Sequence, residues 1–210
     1  MGYTTYFDGS VTIEPPLNED EISFLSDLSS TRRMNRTRGP LFVKGSGDYG
    51  QGSDDDIIDY NAPHLDQPGL WCHWIPNVDG ARADSELTWD GGEKFYEADK
   101  WMQYIVQRLL APEARDYINT HINEDERLQN FTCNHMVNGT IFADGEEGDD
   151  FWALEVENNK VFFLEGQVVY PSRRELVLEE GKVEFKEPEE GEVAAAVHSI
   201  RTAVRKGGNT

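Results

Sequence analysis

Four of the chain's five tryptophans fall between Gln67 and Ile105, in QPGLWCHWIPNVDGARADSELTWDGGEKFYEADKWMQYI. Each indole has roughly 150–250 Å² to bury, so Trp71, Trp74, Trp89 and Trp101 draw this stretch to the centre of whatever fold forms. Leu70 to Ile75 reads as a strand with apolar residues on both faces, the mark of an interior position with cover on each side. Pro76 is expected to end it, because proline lacks a ladder donor. Glu86 to Trp89 reads as a second short strand. Asp90 is placed to cap a helix, with Glu93 completing a capping box. Phe95, Ala98, Met102, Ile105, Val106 and Leu109 then form one apolar stripe at helical spacing. Pro112 interrupts that run, and Glu113 to Ile122 resumes as a second helical piece.

Before this stretch, Tyr3 to Ile13 alternates as an opening strand broken at Asp8-Gly9 and ended by Pro15-Pro16. Asn18 with Glu21 makes a capping box, Leu17 and Ile22 take the staple positions, and Ile22, Leu25 and Leu28 supply the stripe. Residues 39 to 69 read as a long irregular loop, a kind usually functional or disordered where it occurs in a compact domain. Its GSGDYGQG segment is no P-loop, since no Gly-Lys-Ser/Thr follows. Asp54 to Asp56, with Asp59, falls short of a full calcium-loop pattern. After Pro112, strands are expected over Asn130 to Phe142 (with a turn or bulge at Asn138-Gly139), Phe151 to Glu157, Lys160 to Glu165, Gln167 to Tyr170 and Glu175 to Phe185. Val193, Val197, Ile200 and Val204 then recur at heptad-like spacing, with Arg201, Arg205 and Lys206 suiting a helix C-terminus.

The order strand, helix, strand, strand, helix, strand is that of a split β-α-β core. The expected fold is therefore α+β: a mostly antiparallel sheet with helices packed on one face, extended by C-terminal strands. Residues 1–187 are expected to form one domain, and 188–210 an amphipathic helical tail that docks on the domain or on another subunit.

A net charge of −21 on 210 residues argues against general nucleic-acid binding, which needs a surplus of Lys and Arg. Carboxylates are spread along the chain, which fits a solubilising surface or an acidic face for a basic partner. No apolar run approaches membrane-spanning length. MGYTTYFDGSVTIEPP lacks the basic-then-apolar pattern of a signal peptide. Cys72 and Cys133 carry no metal-type spacing and read as buried thiols. A cytoplasmic protein is the expectation.

PLNEDEISFLSDLSSTRRM, QPGLWCHWIP, LTWDGGEKFYEADKWMQYIVQRLLAP and VNGTIFADGEEGDDFWALEVENNKV together resemble a family of short bacterial and phage proteins. There an LWCxW strand, a WDGGEKFY helix start and an acidic hairpin follow in this order. The resemblance covers roughly residues 1 to 165, without the 39–66 loop. It implies a single small domain in a cytoplasmic, phage-encoded setting, and brings no activity with it.

Arg32, Arg33, Arg36 and Arg38 form a cluster that stands out in so acidic a chain. Guanidinium groups grip phosphates and carboxylates through paired donors, so the cluster is either an anion site or a set of internal partners for the protein's own carboxylates. Trp71 and His73 are the other candidate ligand contacts. No catalytic residue, cofactor or metal is assigned: a Cys–His pair would have to be assembled from distant positions, and Cys133 with His135 lacks a CxxC or HxxxH context. The reading that results is a non-enzymatic acidic binding protein engaging a host or partner macromolecule, in practice a protein. The alternative is a small anionic, nucleotide-like ligand held by the arginines. The C-terminal helix offers a route to oligomers.

Overall fold

Val11 and Ile13 point inward from β1 (Thr5–Glu14), a single ten-residue strand at the middle of the sheet. The break expected at Asp8-Gly9 does not occur. Gly9 takes φ 110 and lies so close to the next strand that a Cβ would meet the Thr140 carbonyl oxygen at 2.7 Å. Glycine thus keeps the pairing intact where any side chain would clash. The computed structural model describes residues 2–44, 54–77 and 85–166, and beyond these only the backbone of two short strands.

Helix α1 (Glu19–Ser30) starts where the sequence placed it. The Asn18 side chain accepts from the Glu21 N–H at 3.0 Å, and the Glu21 carboxylate accepts from the Asn18 N–H at 2.8 Å. Phe24, Leu25 and Leu28 face the core. Strands β2 (Asn35–Arg36) and β3 (Ile57–Asp59) form a small separate pair. The strand expected over Leu70 to Ile75 shortens to β4 (Trp74–Pro76), which pairs with β5 (Glu86–Trp89). Upstream of Trp74 the chain is inward-facing but outside the ladder: Cys72 is fully buried, and the Leu70 carbonyl accepts from the Arg33 N–H instead. Alternation in the sequence reported burial there, not strand pairing. Pro76 is the last ladder residue.

Helix α2 (Ala98–Ile105) runs into a wide π turn over Val106–Leu110 and then, past a 3₁₀ turn at Pro112–Ala114, into α3 (Arg115–His121). The whole stripe from Phe95 to Leu109 is buried. Strand β6 (Met136–Gly145) passes straight through Asn138-Gly139, where no turn forms; Gly139 (φ 147) packs against Val11 of β1. A hairpin of β7 (Phe151–Glu157) and β8 (Lys160–Glu165) follows, turning at Asn158 and Asn159 with φ 50 and 65. Those left-handed values suit the turn that two-residue hairpins prefer.

The sheet order is β4-β5-β1-β6-β7-β8, with every neighbouring pair antiparallel. Strands β1 and β4 therefore run the same way with β5 between them, joined through α1. Strands β5 and β6 likewise flank β1 and are joined through α2. These are two interlocked split β-α-β units, and the fold is α+β. Inner-face residues Val11, Ile13, Ile141 and Leu154 close a core with Trp74, Trp101, Phe24 and Phe131. No helix among the described residues is long and apolar enough to cross a membrane.

The chain divides into two compact units, Met1–Gln167 and Val168–Thr210, so the division falls before Pro188. In the second unit β9 (Leu176–Glu179) and β10 (Lys182–Phe185) form an antiparallel pair. The strand expected at Gln167 to Tyr170 and the tail helix lie outside the described residues.

Candidate functional site

The arginine cluster folds largely inward. Arg33 is buried, and its guanidinium donates to the carbonyls of Pro40 and Phe42 at 2.9 and 2.8 Å, while burial lowers its pKa to about 10. Arg36 is also buried, its Nη1 2.9 Å from a carboxylate oxygen of both Asp54 and Asp56. Two of the four carboxylates that looked like a weak cation site, Asp54 and Asp56, are thus the internal counter-ions of this arginine. Arg38 reaches outward over the Phe42 ring and lies 3.6 Å from Asp56. Arg32 is half-buried.

Trp71 and His73 come together elsewhere. Their rings lie nearly parallel, 6.3 Å between centroids, on the wall of an open cleft of about 620 Å³. Pro63, Leu70 and Tyr96 add apolar lining, and Asn61, Glu93 and Lys94 supply its polar groups. None of the four clustered arginines lines it. Asp90, expected as a helix cap, serves this cleft instead. Its Oδ2 lies 2.9 Å from His73 Nδ1, and its Oδ1 accepts the Gly92 N–H at 2.7 Å. Helix α2 begins only at Ala98 and has no side-chain cap. A Cβ on Gly92 would come within 2.3 Å of His73 Nδ1, so glycine is what lets the loop close against the imidazole.

Other titratable groups are committed to the interior. Glu21 and His135, both buried, approach to 3.2 Å. His135 also meets the Pro15 carbonyl and the Thr132 hydroxyl. Burial would raise the Glu21 carboxyl, but bonds from His135, Asn18 and Thr132 outweigh it and leave the pKa lowered. Burial would lower His135, yet its bonds to Glu21 and Pro15 raise it. Burial also raises both thiols, Cys72 to about 12, so neither is the thiolate that nucleophilic chemistry uses.

Comparisons with family models, curated proteins and solved structures return no match.

A second surface was not legible in the sequence. On the outer face of the sheet, pairing register sets Phe142, Ala153 and Leu164 in one row across β6, β7 and β8. Phe151 lies in the row beside it, opposite Asp144, and Phe162 on the other side, opposite Glu155. Phe142 is 61% exposed, and Phe151, Phe162 and Leu164 are 38–41% exposed. Asp8, the neighbour of Phe142 on β1, joins Asp144 and Glu155 in ringing these side chains with carboxylates. Each strand alone shows one or two apolar residues on its solvent side. Only the register makes them a patch.

Proposed function

We propose that this protein is a non-enzymatic binding protein that engages a host or partner macromolecule through the outer face of β6, β7 and β8. The apolar group formed there by Phe142, Phe151, Phe162 and Leu164 carries this reading. Contiguous exposed apolar surface inside a polar rim is characteristic of interaction sites. The rim here is acidic on a protein of charge −21, so the complementary partner is a protein presenting apolar side chains flanked by Lys and Arg. In the phage setting suggested by the sequence, that partner belongs to the host. The small-ligand alternative draws its support from the cleft rather than from the arginines.

Affinity capture with the intact protein tests the reading. The wild type is expected to retain a stoichiometric protein partner, and the double variant Phe142→Asp, Leu164→Asp to lose it while keeping its melting temperature, since both side chains already face solvent. A partner retained equally by both proteins contradicts the assignment of this face.

A further inference from the structure

We infer that the cleft lined by Trp71, His73 and Tyr96 is a second, independent binding site, for a nucleoside monophosphate. Its volume of about 620 Å³ falls in the range of small-molecule sites, which are typically apolar with a few placed polar groups. Three ring systems line it, and Tyr96 is 57% exposed. Ring faces of Trp, Tyr and His are what stack nucleobases.

The backbone holds the rim residues in an unusual way. Lys94 (φ 59) and Glu97 (φ 58) are both left-handed without being glycine, and they bracket Tyr96. The Tyr96 N–H closes a tight turn onto the Lys94 carbonyl at 2.9 Å. Such conformations cost roughly 1–3 kcal/mol each and persist where the surroundings impose them, often at ligand sites. Asp90, its other carboxylate oxygen accepting the Gly92 N–H, fixes the His73 ring at Nδ1, which leaves Nε2 as its other hydrogen-bonding atom.

The polar groups narrow the ligand class. The Asn61 side-chain amide combines donor and acceptor, the pattern that pairs with the N6 and N7 edge of adenine. Among the described residues Lys94 is the only cation in the lining, and Glu93 stands beside it. One ammonium next to one carboxylate, on a chain of charge −21, suits a single phosphate and opposes a di- or triphosphate.

Isothermal titration of the full chain with adenosine monophosphate tests the inference. Binding is expected, about tenfold weaker for Tyr96→Ala, and weakened for Lys94→Met toward the affinity of adenosine for the wild type. Inorganic phosphate alone should give no heat. Because Tyr96 and Lys94 are exposed, both variants should keep the wild-type melting temperature, and the Phe142→Asp, Leu164→Asp protein should bind the nucleotide normally. That last control separates this site from the sheet face. Absence of binding to the wild type would overturn the inference. So would an affinity unchanged in Tyr96→Ala, or adenosine binding as tightly as its monophosphate.

Discussion

Trp74 shows how much a single residue can decide here. It is fully buried, its indole N–H donates to the Ala98 carbonyl at 2.8 Å, and its ring meets Phe7 and Phe95 edge-on. Trp74→Ala should cost about 3–5 kcal/mol, read as a fall in the denaturation midpoint; an unchanged midpoint would contradict its place in the core. Its burial was legible, because a Trp on an alternating apolar segment has few other places to go. The arginines were only half legible. Carboxylate partners were foreseeable for Arg36 in an acidic chain, whereas Arg33 binds carbonyls, which every residue possesses and no sequence pattern marks. Arg36→Glu would set three carboxylates together in a buried place and should lower stability by several kcal/mol. Equal stability would show the pairing with Asp54 and Asp56 to be dispensable. The Glu21–His135 pair adds a pH dependence. The raised His135 contributes fully below its ordinary pKa of 6.5 and loses that contribution as pH rises through its folded value. The lowered Glu21 contributes above its ordinary 4.5 and loses it as pH falls through its folded value. Stability from this pair should therefore be greatest between about pH 4.5 and 6.5, and His135→Gln should flatten the profile measured by denaturant melts. A profile of the same shape in the variant would remove the pair from the account.

Among the elements, those with local causes were the ones legible in advance. The Asn18 capping box needs only residues three apart, and it forms as read; Asn18→Ala should cost about 1 kcal/mol, and a circular dichroism melt with no loss would show the cap to be redundant. Asp90-Glu93 carries the same local signature and fails. The reason is tertiary: His73, seventeen residues earlier, takes the Asp90 carboxylate and holds that loop open until Ala98. Strand β4 was overread for a related reason, because apolar alternation records which residues face the core, while ladder length depends on the partner, and β5 offers only four residues. Strand β8 is the converse case. Its Lys-Val-Phe-Phe-Leu-Glu run was plain as a strand, but its position at the sheet edge follows only from the order of all six strands. Edges with apolar side chains invite further pairing, which is why the adjoining face suits an interaction.

For the molecule as a whole, the split β-α-β core was legible because element order and one-sided helices follow from periodicity. The apolar patch was not, because it is assembled from three strands by register. The compact unit Met1–Gln167 contains the complete six-stranded sheet and its helices. A chain ended after Gln167 is expected to fold and melt cooperatively; an unfolded circular dichroism spectrum would refute that independence. The central claim is that the outer face of β6, β7 and β8 binds a basic partner. Hydrogen exchange of the protein, free and with its captured partner bound, tests it most directly. The account predicts slowed exchange at backbone amides of β7 and β8 around Ala153, Phe162 and Leu164, weakening as salt screens the contact. Protection confined to the Arg32–Arg38 segment or to the cleft around Trp71, with β8 unchanged, would contradict it.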